Sequence, residues 1–511
     1  MAFTPSSVVF LLGTPLDIKQ KNQIKFTSVA AQNVYFSSVV THSYDNFQYS
    51  RKDGVLKIPA HIDTLYDSNY VMYQNSAYGV KWFYAFIVKM EYVNDNCTNV
   101  YIKTDVYQTW LFDTEVKPSF VVREHLSAAQ DYVGANLVDE GLETGDYIYR
   151  SNSFSYALGA PAIMVGTTVK EPAVIGGDLL PELGSILSNV YTGVAYRVYD
   201  RNSIGDLNYL LEVVAKKGKA DAITSMFMFP SALLGAYTPG QKIVDSFPGF
   251  IVKHVAKNLS DIDGYVPKNK KLFTHPYNFL YMSNNSGNKA EYKWEYFDTD
   301  ATFWINGNIG PNPTVYCIPC AYKGVAQNYE ESLTITGFPF CNWTYDAYRN
   351  WLAQNAVSVA LGVASSGVSI AAGAYTGNAI GVASGVIGVA QQLGQVYQHS
   401  LQPPQAKGNT NGGGAAFSLG MLDFSFIPAT ITAQYAERID NYFEMFGYKV
   451  NALKVPNLAS RPIWNYIKTI DINIVGAIPN EDMAELKNMY DDGLTLWHSP
   501  SYVCNYGINN H

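Results

Sequence analysis

The sequence predicts a mainly β fold with some helices, of the α+β class. Tyr is abundant, with 39 among 511 residues, and charged residues make up only 15% of the chain, against about 25% in ordinary soluble domains. Residues 81–93 alternate with the period of a strand. For this length we expect about three or four domains. The low charge, together with abundant Tyr, Asn and Gly, suggests that much of the surface is covered by partner subunits.

Composition excludes several classes of protein. The hydrophobic share of 48% is too high for a disordered chain, and five Cys are too few for a disulfide scaffold. A net charge of -8 argues against a protein whose main task is to bind nucleic acid phosphates. The apolar run from Val8 to Leu12 is too short for a secretory signal. We therefore expect folding in a cytoplasm, with reduced thiols.

The first 125 residues carry the clearest β pattern. Residues 81–93 place Trp82, Tyr84 and Phe86 on one face of a strand, and the Asn-Asp-Asn run at 94–96 predicts a turn. The apolar residues between Val100 and Phe112 predict a second long strand. Both strands exceed the usual length of about five or six residues. Such a hairpin suits a barrel wall or a tube built by several subunits.

Helices are predicted in the middle of the chain and near its C-terminus. The first begins at Gly205, with Asp206 as its N-cap, and ends before Gly218. The second presents an apolar face from Ile439 to Phe446 and ends at Gly447, and the third begins around Asn480 and ends at Gly493. Two further strands are predicted, at 292–296 after a turn at 284–288, and at 464–475.

Residues 350–406 contain no Asp, Glu, Lys or Arg. A turn near Tyr375 would divide the stretch into two helices of about 17 to 20 residues, each long enough to span about 26 to 30 Å. Four glycines spaced four apart would let such helices approach closely; they are Gly373, Gly377, Gly381 and Gly385.

Two interpretations of this stretch stay open on the sequence. It is either a Gly/Ala-rich surface loop or buried helix pair, or a segment that is hidden in the assembled protein and enters a membrane on a trigger. In the second case its apolar residues would contact lipid. These are Leu352, Val357, Val359, Leu361, Val363, Val368, Ile370, Tyr375, Ile380, Val382, Val386, Ile387, Val389 and Leu393.

No catalytic, cofactor or metal site is predicted. Cys317 and Cys320 have metal or redox spacing, but no second such pair exists, so we interpret them as buried thiols rather than a zinc or redox site. Four carboxylates are candidates for a hydrolytic pair, although their spacing does not favour one. They are Asp105, Asp113, Asp139 and Glu140.

Several runs resemble the distal tail knob proteins of short-tailed phages of Gram-positive bacteria, the Bacillus podovirus group. They recur in the family's order at both ends of the chain, whereas residues from about 150 to 260 show little likeness. The N-terminal runs are Tyr70–Asn75, Lys81–Phe86, Asp105–Trp110 with Phe112–Asp113, Phe120–His125 and Asp139–Leu142. The later ones are Lys271–Leu272, Pro276–Tyr277, Tyr345–Leu352, Phe446–Tyr448, Pro456–Leu458 with Arg461, Trp464–Tyr466 and Gly493–His498.

The resemblance implies a homohexameric hollow cylinder at the tail tip, assembled in the host cytoplasm. Residues 1–130 and 416–511 would fold together as tail-tube-like β-barrel or sandwich domains. Residues 131–349 would form a mixed knob domain, and residues 350–415 an apolar loop insert that plugs the exit. On ejection this loop would enter the host cytoplasmic membrane and form a conduit. The implied partners are the lower collar or tail tube protein, a tail-tip wall-degrading protein, and genomic DNA passing without sequence-specific binding.

Two other functions stay open: a soluble pore-forming protein unrelated to phage tails, and a tail-associated enzyme that degrades cell-wall polymer. Low charge is not confined to the apolar stretch, because the other 454 positions hold 78 charged residues, about 17%. The sequence therefore indicates both a conditional membrane segment and a body whose flanks are covered by neighbouring copies.

Overall fold

A computed structural model describes residues 8–50, 52–74, 78–149, 155–156, 158, 161–170, 177–200, 203–246, 249–284, 288–310, 313–323, 332–335, 340–342 and 423–511. These residues fall into two compact units. The end unit comprises the described residues of Met1–Gly145, Gly264–Leu272 and Ala433–His511, and the middle unit those of Asp146–Asp263 and Phe273–Thr432. Strands and helices are numbered along the whole chain.

The first sheet of the end unit is antiparallel and has the strand order β3-β1-β6-β7-β8-β5-β4. Its strands come from the first 104 residues. They are β1 Val9–Leu12, β3 Val40–Tyr44, β4 Gln48–Ser50, β5 Val55–Ile58, β6 Tyr70–Gln74, β7 Trp82–Asn94 and β8 Cys97–Thr104.

The predicted N-terminal hairpin is confirmed in its first half. β7 and β8 pair as an antiparallel hairpin around the turn at Asp95. The prediction that the second strand continues to Phe112 is wrong, because a short helix, α2 Val106–Trp110, follows β8. The Asp105 carboxylate accepts a hydrogen bond from the backbone N–H of Gln108 at 3.0 Å and so caps this helix.

A second sheet joins the two ends of the chain in the order β2-β32-β30-β10-β29. β2 runs parallel to β32, and the other neighbours are antiparallel. A separate pair, β9 with β31, also joins the two ends. The strands are β2 Asn22–Ile24, β9 Thr114–Val116, β10 Ser119–Glu124, β29 Tyr448–Lys454, β30 Trp464–Ile470, β31 Ile474–Gly476 and β32 Leu494–Trp497.

The end unit also contains α1 Val29–Ser38, α4 Ala433–Phe446 and α5 Asn480–Asp492. The two C-terminal helices are confirmed, and each is followed by a glycine with positive φ, +62° at Gly447 and +102° at Gly493. The predicted strand at 464–475 is instead divided into β30 and β31. Asp471 lies between them with φ +50°, and its backbone N–H donates to the Asp491 carboxylate at 3.1 Å.

The main core of the end unit draws on both ends of the chain. Leu56, Val71 and Val100 from the first sheet share one buried cluster with Ile467 and Leu496 from the second. A second cluster lies around Phe36 of α1, whose ring stacks on that of Tyr70 with centroids 5.5 Å apart. Folding of this unit therefore requires segments more than 350 residues apart to meet.

In its described residues, the middle unit consists of several small sheets and one α-helix, α3 Ile204–Lys216, with Leu207, Leu210 and Val214 buried. One five-stranded sheet has the path β11-β28-β22-β23, with β12 also paired to β28. Two four-stranded sheets have the orders β18-β13-β19-β27 and β21-β24-β25-β26, and smaller sheets pair β14 with β15 and order β17-β16-β20.

Most of these strands are short. From β11 to β19 they are β11 Tyr147–Tyr149, β12 Ser155–Tyr156, β13 Pro161–Thr167, β14 Val169–Lys170, β15 Leu180–Pro181, β16 Ile186–Leu187, β17 Val190–Tyr191, β18 Ala195–Tyr199 and β19 Ile223–Pro230. From β20 to β28 they are β20 Asp245–Ser246, β21 Ile251–Val255, β22 Asn278–Ser283, β23 Lys289–Lys293, β24 Ala301–Gly307, β25 Val315–Pro319, β26 Leu333–Ile335, β27 Phe340–Asn342 and β28 Ser425–Ile431.

Two details of the middle unit differ from prediction. Asp206 is not the N-cap of α3, because the helix already begins at Ile204. The predicted strand at 292–296 ends at Lys293, and Trp294–Tyr296 form a 3-10 turn that buries Trp294. Tyr292 and Trp294 are both buried, as the alternation predicts, and the Trp294 indole N–H donates to the Asn278 side chain at 3.1 Å. The mainly β class with some helices is nevertheless confirmed.

Replacing Gly447 by alanine is expected to destabilise the folded protein. A Cβ there would lie 2.2 Å from the backbone oxygen of Glu124, and the backbone has φ +62°. Gly79 is a matched control, with φ +66° and open space around its Cβ position. We predict that Gly447→Ala lowers the free energy of unfolding by about 3 kcal/mol, from left-handed strain plus overpacking, and Gly79→Ala by only about 1 kcal/mol. Urea unfolding monitored by fluorescence measures both, and equal losses would contradict the close approach.

Candidate assembly region

The residues predicted to enter a membrane, including all four glycines of the ladder, lie within residues 343–422, outside the described residues. The described helices include none that combines the length and the apolar character needed to cross a bilayer.

Cys317 is a buried residue of β25, and its thiol lies 3.5 Å from the sulfur of Met282. Burial raises the pKa of the Cys317 thiol well above its ordinary value, so the thiol is protonated at neutral pH. Cys320 follows the strand and is half-buried. Across the described residues, no group of three or more His, Cys, Asp or Glu side chains is placed to hold a metal ion. Cys317 and Cys320 therefore lie in and directly after a strand, as thiols of a β domain do.

The four candidate carboxylates bind different partners. Asp113 pairs with Lys81, and the Asp139 side chain accepts from the backbone N–H of Gly141 at 3.0 Å. Asp105 and Glu140 belong to two separate buried networks within the end unit. Each carboxylate therefore has a local structural role in holding a turn, a helix or a cation.

Asp105 connects three segments of the end unit. Besides capping α2, its carboxylate accepts hydrogen bonds from the Gln23 side chain of β2 at 3.2 Å and from the Tyr70 hydroxyl of β6 at 2.9 Å. The residue is fully buried, and burial raises the pKa of Asp105 to about 6, an effect that these hydrogen bonds partly offset. The Gln108 side chain continues the network by donating to the backbone oxygen of Ile24 at 2.8 Å.

Glu140 is the centre of the second network. Its carboxylate is fully buried and pairs with Arg123 of β10 at 2.6 Å and with Lys271. The Lys271 ammonium also donates to the backbone oxygen of Val138 at 2.7 Å. Burial lowers the pKa of Lys271, and the adjacent Glu140 opposes that shift. One acidic side chain thus holds two cations from segments far apart in the chain.

The short segment Gly264–Leu272 is fixed to α4 by a carboxylate. Asp440 accepts hydrogen bonds from the backbone N–H groups of Lys268 at 2.8 Å and Asn269 at 3.0 Å. The Tyr265 hydroxyl donates to the same side chain at 2.8 Å. This contact draws a segment from the middle of the sequence into the end unit.

His125 joins β10 to α4 and β30. Its Nδ1 atom accepts from the backbone N–H of Tyr466 at 2.9 Å, and its Nε2 atom donates to the backbone oxygen of Glu444 at 3.0 Å. Burial is the main reason that the pKa of His125 falls to about 3, and the charge of Arg461 lowers it further. The imidazole is therefore a neutral structural link.

The far half of β7 offers an open strand edge. In the described part of the chain its pairing with β6 stops at Phe86, whereas its pairing with β8 continues to Asn94. Val88, Tyr92 and Val93 in this half are about half exposed, at 54%, 50% and 47%. An unpaired edge with apolar side chains is a template for pairing with another chain.

Comparison with known proteins identifies the family. A family model described as Bacillus phage phi29, Tail knob protein gp9, C-terminal domain matches residues 242–511, more than half of the chain. The chain belongs to the tail knob protein gp9 family. A second model, the Caudoviral major tail protein N-terminus, matches residues 4–115. The resemblance to tail knob proteins of short-tailed phages is therefore confirmed, and family membership makes the chain a structural component of a phage tail.

Individual relatives match over the full length. The tail knob proteins gp9 of Bacillus phages PZA and phi29 are 28% and 27% identical, with 100% of both chains covered in each case. The solved structure of the bacteriophage C1 tail knob protein, gp12, superposes with a TM-score of 0.66 over 99% of each chain at 15% identity. This last likeness shows a shared fold.

Removing the Glu140 carboxylate should be costly, because two buried cations would lose their partner. We expect Glu140→Ala to lower the free energy of unfolding by about 3 to 5 kcal/mol. Glu115→Ala is the control, since Glu115 pairs with Lys117 at 2.6 Å but its side chain is 68% exposed, and we expect a loss of at most about 1 kcal/mol. Urea unfolding of both variants tests this, and similar losses would contradict the role given to the buried network.

Proposed function

We propose that six copies of the chain form the hollow distal knob and tube of a phage tail, through which genomic DNA passes during ejection. The observation that supports this most is the combination, in one chain, of a tail knob match and a major tail protein match. The N-terminal match covers the first sheet, whose long hairpin has an open edge. Pairing or packing along that edge would let neighbouring copies build a continuous wall.

The charge of the protein suits a conduit for DNA. A chain with 35 basic and 43 acidic residues carries a net charge of -8. DNA-binding surfaces gain affinity by releasing counterions through clusters of Lys and Arg. A wall without such clusters would let DNA slide without being held. In this proposal DNA is a passing cargo that is not recognised by sequence.

We propose that residues 350–406 plug the exit before ejection and enter the host cytoplasmic membrane afterwards. The stretch is uncharged over 57 positions and carries the glycine ladder from Gly373 to Gly385. One such hairpin would insert only marginally, because Ala, Gly and Ser dilute its larger apolar residues. Six copies would add their burial in lipid, and the glycines would allow close helix packing in the pore.

The remaining parts of the proposal concern assembly. The chain would be assembled in the host cytoplasm and occupy the tail tip, in contact with the lower collar or tail tube protein and with a tail-tip wall-degrading protein. Its role would be structural and not enzymatic, which agrees with the names of its relatives. Residues 1–130 and 416–511 would form the tube, residues 131–349 the knob, and residues 350–415 the loop insert.

Imaging of the purified protein tests the ring. We expect negative-stain micrographs at neutral pH, without lipid, to show six-fold rings with a central hole. Sedimentation analysis of the same sample should give the mass of six chains, six times 56.5 kDa. A monomer that assembles only on lipid would contradict the tail proposal and favour a soluble pore-forming protein. Cleavage of purified cell wall, lost on substituting one or two carboxylates, would favour an enzyme.

Dye release from liposomes tests the membrane segment. We expect the full chain to release dye at low pH, and a variant lacking residues 350–406 to release no more than buffer. Val363→Asp with Val386→Asp should behave like the deletion, since a charge at the bilayer centre costs about 2.5 to 3.5 kcal/mol. Deletion of the polar residues 408–412 is the control and should leave release unchanged. Equal leakage from the 350–406 deletion would overturn the proposal, and imaging each variant separates loss of insertion from loss of the ring.

A further inference from the structure

The end unit exposes an apolar ridge on the sheet that joins the two chain ends. Phe120 of β10 lies directly opposite Leu453 of β29 and also opposite Ile470 of β30. The three residues are 40%, 74% and 58% exposed. Side chains that face each other across strands have Cβ atoms about 4.5 to 5.5 Å apart, so these three form one continuous row. We call Phe120, Leu453 and Ile470 the ridge.

The sheet explains why the ridge is uncovered. Val121, the next residue along β10, is fully buried, so the opposite face of the strand meets the interior. Toward the other end of β10, α4 lies over the strands. There the Arg123 guanidinium lies 4.7 Å from the ring centroid of Tyr442, and the rings of Phe446 and Tyr466 are 5.1 Å apart. The ridge lies outside the area that α4 covers, at the edge of the sheet formed by β29.

A hollow of about 610 Å³ lies beside the other edge strand, β2, and is open to solvent. Its wall includes Phe26, Val34 and Tyr35 on one side and His498 and Pro500 on the other. Val34 belongs to α1 and is 71% exposed. The volume is in the range that takes several side-chain-sized groups.

The lining of the hollow also includes two ionisable side chains, Lys25 and His498, and the hydroxyl groups of Thr27, Ser38 and Ser501. Burial lowers the pKa of His498 to about 4, with the charge of Lys25 as a second cause. Burial likewise lowers the pKa of Lys25, whose ammonium lies 3.4 Å from the backbone oxygen of Leu458. The neutral His498 imidazole lies in the same lining as the apolar side chains of Phe26, Val34 and Tyr35, and this part of the hollow suits an apolar occupant.

The two surfaces meet the requirement of a closed ring. In a ring of three or more identical chains, every contact between neighbours joins two different patches, one on each flank of the subunit. The ridge lies at the β29 edge of the sheet and the hollow at the β2 edge. An exposed apolar row and a hollow with apolar lining residues at opposite edges of one sheet are therefore arranged for head-to-tail contact between copies. Neither requires a residue of the middle unit.

We propose that the ridge of one copy packs into the hollow beside β2 of the next copy, and that this contact closes the ring. The inference rests on the proposed hexamer and names the surfaces that make it. The ridge residues and their exposed neighbour Val455 supply the apolar side chains. Val34, Tyr35 and Phe26 of the hollow receive them. The contact buries apolar surface that would otherwise meet water, as the central part of a stable interface does.

Charge placed on either surface should prevent assembly. We expect Leu453→Asp alone and Val34→Asp alone to give monomers by sedimentation and by native mass spectrometry. Both side chains are mostly exposed, so both variants should fold, and circular dichroism and thermal melting verify this. Leu183→Asp in the middle unit is the control, because Leu183 is also 77% exposed but belongs to neither surface. This control should form rings like the parent chain.

Mixing the two variants distinguishes head-to-tail contact from every other arrangement. Leu453→Asp keeps an intact hollow and Val34→Asp an intact ridge, so the mixture can form one good contact and no second. We expect a 1:1 dimer and no larger species.

Rings formed by either single variant would overturn the inference while leaving the hexamer proposal intact, and would point to another tail protein or to lipid as the occupant. Monomers in the mixture would overturn the pairing of these surfaces. A parent chain that forms no ring would instead overturn the hexamer proposal.

Discussion

The structure of the end unit depends on pairing between the two ends of the chain. β10 lies between β29 and β30, and β2 pairs with β32, so neither end completes this sheet alone. Closing so long a loop costs conformational entropy before any contact repays it. The buried links among β10, α4 and β30, above all His125 and the close approach at Gly447, stabilise the joined state. Of the residues between the ends, Gly264–Leu272 also belongs to this unit and is held there by Asp440 and Glu140.

The sequence pattern predicted those strands and helices that are stabilised mainly by residues close to one another in the sequence. β7 could be predicted because its side chains alternate through the turn at Asp95, and α4 and α5 because an apolar helical face ends at a glycine. The pattern failed where a distant partner decides the backbone. The Asp105 carboxylate, bound to Gln23 and Tyr70, turns an apolar stretch that resembled strand into α2. No spacing along the sequence could reveal those partners.

The candidate region was predicted less well than the fold, for a related reason. The contact between Lys271 and Glu140 joins residues 131 positions apart, so sequence spacing alone gave no sign of it. A signal was nevertheless present, because the runs that resemble the tail knob family include Asp105, Arg123, Glu140, Lys271 and Tyr448. These residues recur in the buried networks of the end unit. In this chain, the runs that resemble the tail knob family therefore include the buried polar contacts that hold the two ends together.

These buried polar contacts show where part of the small number of charged residues in the chain is used. Several of its few charged groups are used inside the end unit, where Glu140 holds Arg123 and Lys271, and Glu124 holds Lys454. These pairs hold part of the charge of the chain inside the end unit, where it stabilises contacts between distant segments. Copies of a weakly charged body can approach with little mutual repulsion. In the proposed ring, apolar patches such as the ridge and the hollow would then decide where neighbouring copies meet.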